Sequence, residues 1–206
     1  MRTLLWFRRN LRVHDQPLFR VDEPAVGVWI LDPRDLLAAD PAGFPRCGVH
    51  RLRFLLESVA DLRAKLRSLG SELIVRVGEP EAVLAELVQE LQATTVRTIE
   101  EPGTEERTTD RAVGKALASK CTFDRMPPET LFEFDDPHEI SRDLPEVFSK
   151  FRRTSEKREQ IGQPLPVPSA LASFGIGIEP GEIPNMPALG YEDLEPSPKA
   201  VMRFEG

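Results

Sequence analysis

The chain has 206 residues, with 27 Lys and Arg against 34 Asp and Glu, for a formal charge of −7. That length accommodates one well-buried domain plus an extension, and the acidic balance argues against a module that grips nucleic acid by itself. Cys47 and Cys121 are too far apart for metal-ligand spacing, and no apolar stretch approaches a signal or membrane span. A reducing, cytoplasmic setting with no membrane contact is the expectation.

Thr3-Leu4-Leu5-Trp6-Phe7 opens the chain as an apolar run suited to a strand buried on both faces. It breaks into Arg8, Arg9 and Arg12. Asp15 is then expected as a helix N-cap, with Pro17 in the first turn. Ala25–Leu31 reads as a second buried strand, ended by Asp32-Pro33. A loop with Pro41, Gly43 and Pro45 precedes a helix over about 50–69, whose apolar face is expected to comprise Phe54, Leu55, Val59, Leu62, Leu66 and Leu69. Gly70 is placed to end it. Residues 72–77 form a third strand, and Pro80-Glu81 start a helix carrying Val83, Leu84, Leu87, Val88 and Leu91. Thr94–Ile99 is a β-branched fourth strand. After Glu100-Glu101-Pro102-Gly103, Thr104 opens another helix, and residues 121–123 and 130–134 read as closing strands.

Strands alternating with helices imply a parallel sheet. The fold class is therefore α/β, a doubly wound (Rossmann-like) five-stranded parallel sheet flanked by helices. Three units are expected: residues 1–135 as the α/β domain, 136–160 as a trailing helix packed on it, and 161–206 as a proline-rich connector. That last stretch holds eight of the nineteen prolines. Leu165, Val167, Leu171, Phe174, Ile176, Ile178 and Leu189 are too many apolar residues for a loose linker, so it is expected to pack on a surface.

In a doubly wound sheet, ligands sit at the carboxyl edge where the strand order reverses. Arg8 lies at that edge, where it either meets an anionic ligand or pairs with structural acids. The loop and helix start after the fourth strand, Glu100-Glu101-Pro102-Gly103-Thr104-Glu105-Glu106-Arg107, is the most suggestive site: its carboxylates accept paired hydrogen bonds from a heterocycle with an N–H/NH₂ edge, or Glu105 and Glu106 merely complement the helix dipole. There is no P-loop and no glycine-rich dinucleotide fingerprint after the first strand. His14, His50 and His138 lack ligand-like neighbours, so no metal is expected.

Trp6-Phe7-Arg8-Arg9-Asn10-Leu11-Arg12-Val13-His14-Asp15, Gly43–Gly48 with Arg51, Leu73–Glu81, Leu144–Arg153 and Gly181-Glu182-Ile183-Pro184 occur in an order that resembles the photolyase/cryptochrome family. Within it, they are similar to the cryptochrome DASH branch. Asn10 and Gln16 depart from the residues usual in that opening motif. The resemblance implies the antenna half of a light-driven DNA repair enzyme. Full-length relatives use light and FAD, held in a helical domain expected after Gly206, to split cyclobutane pyrimidine dimers, and DASH members prefer single-stranded DNA. By the same resemblance Glu106 matches a pterin-binding glutamate, with Glu105 beside it and Phe44 lining the cleft, for methenyltetrahydrofolate. No residue of this chain is then catalytic, although the full-length parent would be a deoxyribodipyrimidine photo-lyase. The implied partners are the helical FAD domain, in the same or a separate chain, DNA through the full-length protein, and a second copy. Two other readings stand beside this one: a docking module using the Phe148/Phe151 helix and the apolar tail, and a nucleotide-binding protein on the same fold.

Overall fold

The two continuous apolar runs become the middle of a sheet in a computed structural model of the chain, which describes residues 1–39, 42–130, 144–158, 162–172, 174, 175, 177 and 179–192. Strands β1 (Thr3–Phe7) and β2 (Ala25–Leu31) are buried along their whole length. They are followed by β3 (Leu73–Val77), β4 (Thr95–Ile99) and β5 (Thr122–Met126). All pairings are parallel, in the order β3-β2-β1-β4-β5. The chain thus winds outward from β1 in one direction, then returns and winds out in the other, which puts the switch point between β1 and β4.

Successive side chains of a strand point to opposite faces, and the two faces have different covers. Leu5, Phe7, Trp29, Leu31, Leu73 and Val75 meet Leu52, Leu56, Val59, Leu62 and Leu66 of helix α2 (Val49–Ser68). Leu4, Trp6, Val28, Ile30, Ile74 and Val96 meet helices α3 (Pro80–Leu91) and α4 (Thr104–Leu117). A four-residue helix α1 (Pro33–Leu36) is capped by Asp32, whose carboxylate accepts the Arg34 N–H at 2.9 Å. Gly70 ends α2 at φ +83°, a conformation open to glycine. A further helix, α5 (Phe148–Arg158), carries Lys150, Arg152, Arg153, Lys157 and Arg158. Among the described residues no helix is long and apolar enough to cross a membrane.

Three expectations are corrected. Asp15 does not cap a helix. Gln16 does, accepting Leu18 N–H at the start of a short 3₁₀ turn, Pro17–Phe19. Asp15 sits at φ +51°, where its N–H donates to Leu165 O at 2.9 Å and its carboxylate accepts Leu165 N–H at 3.0 Å. It is a clip for the connector. Second, the buried stripe of α2 includes Leu52 and Leu56. Phe54, two residues and about 200° around the helix from each, is 56 % exposed. Third, the strand beginning at Cys121 starts at Thr122 and runs to Met126. The closing strand expected at 130–134 begins at Thr130, which is not in a strand, and the rest of it lies outside the described residues.

The connector packs as its apolar content suggests, with Leu171, Phe174 and Met186 buried. Ile176 and Ile178 lie outside the described residues. Leu171 N–H bonds Leu69 O at the end of α2, Ala25 N–H at the start of β2 bonds Ala172 O, and Val75 N–H bonds Pro180 O, so the connector covers the β3 edge at Val75. Replacing Asp15 with Ala leaves the Leu165 N–H unpaired and puts a residue averse to the left-handed region at φ +51°. The expected loss is about 1–3 kcal/mol in a denaturant titration, with Asp15→Asn, which keeps an acceptor and tolerates that region, within ~1 kcal/mol of the parent.

Candidate functional site

The first strand leaves the sheet through a turn that is tied to itself. Asn10 Oδ1 accepts the Arg8 N–H at 3.1 Å, and Asn10 Nδ2 donates to Gln16 Oε1 at 3.2 Å. Gln16 Nε2 in turn donates to the carbonyls of Asn10 and Arg12. The two residues that depart from the familiar opening motif are therefore partners of each other, and Gln16 is buried with both ends of its amide satisfied.

This turn forms one side of a cleft of about 610 Å³, a volume suited to a small-molecule ligand. Its walls are apolar: Trp29 and Ile30 from β2, Leu36 from α1, Phe54 and Leu55 from α2, and Pro80 at the start of α3. Its polar residues come from four directions, with Arg8, Arg9 and Arg12 after β1, Asp32, Asp35 and Arg46 around α1, Arg51 and Ser58 on α2, and Glu101 and Glu105 near the start of α4. Burial, with Asp32 nearby, pushes the Asp35 carboxyl above its ordinary value. One corner is rigid. Arg34 forks onto Asp32 and also bonds both oxygens of Glu81, joining α1 to α3, and these hydrogen bonds hold Glu81 below its ordinary value.

Each guanidinium of the turn has acid partners. Arg8 reaches Asp110 at 2.9 Å and Glu101 at 3.3 Å, and lies over the Trp6 ring with its central carbon 4.8 Å from the centroid. Arg9 reaches Glu106 at 2.6 Å, and Arg12 pairs with Glu129. Across the mouth, Arg46 pairs with Glu105. Arg8 thus pairs with two acids and also lines the cleft.

The residues singled out in the sequence are distributed unevenly about this cleft. Arg8 and Glu105 line it. Glu106 stands just outside the lining and is linked to it by Arg9. Its carboxylate folds back over the N-cap Gly103, where a Cβ would run into it, and its own N–H together with Arg9 holds it below the usual carboxylate range. Phe44 is 70 % exposed and is not among the lining residues. Glu101, in the same suggestive stretch as Glu105, lines the cleft too, whereas Trp29, Phe54 and Asp110 were not singled out as site residues. Phe54 carried a usable signal, since it falls out of step with the Leu52–Leu56–Val59–Leu66 stripe. Asp110 carried none, because nothing in its spacing announces a carboxylate buried under a neighbouring strand.

A doubly wound sheet with a ligand-sized cleft beside its switch point defines an α/β domain of the class whose small-molecule sites lie at the carboxyl edge of the sheet. The chain belongs to the DNA photolyase family: the model of that description matches residues 3–169. It is 40 % identical to Cryptochrome DASH of Gloeobacter violaceus over 98 % of this chain and 41 % of that protein. It is 36 % identical to Cryptochrome DASH of Danio rerio over 93 % and 38 % respectively. The crystal structure of a Synechocystis cryptochrome superposes with a TM-score of 0.86 at 28 % identity, covering all of this chain and 44 % of that one. An archaeal photolyase from Sulfolobus tokodaii shares the fold, with a TM-score of 0.63 at 21 % identity over 84 % of this chain and 38 % of that one. The chain spans about two fifths of the length of these relatives.

Proposed function

We propose that this domain holds an antenna chromophore, methenyltetrahydrofolate, for a cytoplasmic DASH-type flavoprotein that repairs cyclobutane pyrimidine dimers with a preference for single-stranded DNA. FAD and the electron-transfer chemistry belong to a helical domain outside these residues, so no residue here is assigned a catalytic role. The observation that carries the reading is the cleft itself. Its aromatic and aliphatic walls suit a flat ring, and acceptor carboxylates lie along one end. The bound folate would absorb light and pass the excitation to the flavin. Phe54 would stack on the ring above a floor that includes Trp29, Glu101 and Glu105 would accept from its N–H edge, and Glu106 would join them once Arg9 swings aside.

Absorption titration of the purified chain with methenyltetrahydrofolate tests this. Saturable binding is expected, and Glu106→Ala is expected to weaken it by about 1.5–3 kcal/mol, roughly tenfold to a hundredfold in Kd, as for loss of a charge-assisted hydrogen bond. A flat titration of the parent protein sinks the reading. FAD is the second arm, because the Sulfolobus tokodaii photolyase is described with two FAD molecules and the implication of a novel light-harvesting cofactor.

A docking role is a second reading, favoured by the exposure of Leu144, Val147 and Phe148, the last at 73 %. The occupant would be the helical FAD domain or a second copy of this chain. Size-exclusion chromatography with light scattering distinguishes a self-associating chain from a monomer.

A further inference from the structure

Helix α2 has two working faces. Leu52, Leu56, Val59, Leu62 and Leu66 meet the sheet, while Arg51, Phe54, Leu55 and Ser58 line the cleft. The second set recurs at i, i+3, i+4 and i+7, so it forms one stripe along the helix. Ser58 is folded onto its own helix, its hydroxyl donating to Phe54 O at 2.7 Å. The stripe therefore runs from a satisfied hydroxyl, past an aromatic ring and an aliphatic side chain, to a cation near the start of α2.

Arg51 differs from the other cations about the cleft. Arg8, Arg9, Arg12 and Arg46 each hold a carboxylate. Arg51 is exposed and, among the described residues, makes no hydrogen bond and no ion pair. The acids of the cleft are turned elsewhere: Asp32 to Arg34, Glu101 to Arg8 and Glu105 to Arg46. Asp35 faces Asp32, Arg46, Arg9 and Glu105. Cys47 does face Arg51, but it is a fully buried thiol that burial raises above its ordinary value, so it supplies no negative charge.

We propose that Arg51 anchors an anionic group carried on a tail of the bound ligand, beside the flat ring stacked on Phe54. The proposal deepens the chromophore reading above and rests on it. A ligand seated against Phe54 and Leu55 displaces water from the neighbouring guanidinium. A neutral tail leaves that charge short of partners, whereas an anion returns a charge-assisted pair. Arg8, Arg9 or Arg46 could serve an anion only after an existing ion pair had broken. The three or four residues from Arg51 to Phe54 and Leu55 span about 5 Å of helix, so the anion stands clear of the ring. The site thus selects a ring with an anionic tail over the bare ring. The glutamyl carboxylates of a folate meet that description, and so does the phosphate of FMN.

Paired titrations of the full chain provide the test. Methenyltetrahydrofolate is compared with its diamide, in which both glutamyl carboxylates are amides, and FMN is compared with riboflavin. Absorption reads the folates and flavin fluorescence reads the flavins. The parent is expected to bind the anionic member of a pair about threefold to thirtyfold more tightly, as for a partly exposed charge-assisted pair. In Arg51→Gln the two members should bind alike, with affinity for the neutral one little changed. Arg51→Lys keeps the charge but not the planar fork, and should recover part of the preference. Arg53→Gln removes the same charge from α2 at a position off the cleft lining and paired with Glu57, and should leave the preference whole. The readout is a ratio of two ligands on one protein, so a change in stability does not mimic it. Uptake with no preference for the anion, or a preference that survives Arg51→Gln, overturns the anchor; the chromophore reading then stands or falls on folate uptake alone. An equal loss in Arg53→Gln traces the preference to the general field of the helix and also overturns the anchor. FMN uptake that favours the phosphate through Arg51, without folate uptake, overturns the folate and keeps the anchor. Uptake of none of the four overturns both.

Discussion

Arg63→Ala is expected to destabilise the domain by about 2–5 kcal/mol, because it strips the donors from two or more part-buried carbonyls at once. Arg63 projects from α2 between the β3 edge and the connector. Its guanidinium donates to Leu73 O at 2.9 Å and to Gly181 O at 2.7 Å, with Pro180 O at 3.4 Å and the Glu72 carboxylate 3.7 Å away. Arg76 completes the clamp by donating to Glu179 O at 2.9 Å. Alanine leaves these oxygens short of partners in a place water reaches poorly. Lysine supplies one compact ammonium in place of a planar fork, so Arg63→Lys is expected to recover part of the loss. Urea titration gives the magnitude, and limited proteolysis gives the mechanism, since cleavage between 162 and 192 should accelerate in Arg63→Ala before the core opens. A variant within about 0.5 kcal/mol of the parent, with its connector still protected, removes the clamp from the account.

That clamp also marks what the sequence made legible. The sheet could be read because β1 and β2 are buried on both faces and therefore spelled as unbroken apolar runs. The connector could be read as packed because Leu171, Phe174 and Leu189 are too apolar to hang in water. Its route could not be read. It is held mainly by backbone carbonyls meeting Arg63, Arg76 and Asp15, and a carbonyl has no letter in the sequence. Gly181 comes nearest to a signal: at φ +79°, with a Cβ that would collide with Val75 O, it is required where the connector crosses β3. The cleft was half legible. Its place followed from the topology, and Arg8 and Glu105 do line it. Glu106 and Phe44 fall outside the lining, because the rotamer that folds Glu106 over Gly103 and the loop that turns Phe44 to solvent are decided by tertiary contacts. Trp29 and Phe54 were assigned to the core and turn out to be walls as well, since apolar character alone does not tell the inside of a sheet from the lip of a cleft.

Gly27→Ala is expected to cost about 1–3 kcal/mol, and its partner in a double-mutant cycle is Leu66. β2 is an interior strand, paired on both sides by β3 and β1, where a glycine is ordinarily a weakness. Here it admits α2: a Cβ on Gly27 would lie 2.8 Å from Leu66 Cδ1, 3.0 Å from Leu73 Cδ1 and 3.2 Å from Glu72 O. The Leu66 end can yield only by moving the helix or leaving its rotamer, since Leu66 is fully buried. Leu66→Ala alone is expected to cost about 2–5 kcal/mol through the cavity it leaves. In the double variant the added methyl points into that cavity, so the two losses should fall short of their sum by about 0.5–3 kcal/mol, the range for residues in contact. Full recovery is not expected, because Leu73 and the Glu72 carbonyl remain close. Additive losses would mean that α2 is not seated on Gly27. The consequence reaches the cleft, because α2 also carries Phe54 and Arg51, and Trp29 lies two residues along β2 on the same face. A helix lifted by the added methyl draws Phe54 away from Trp29 and opens the cleft walls. Trp29 emission, isolated in a Trp6→Phe background, should therefore shift in Gly27→Ala and return toward the parent value in the double variant, which ties the packing of the sheet to the shape of the cleft it supports.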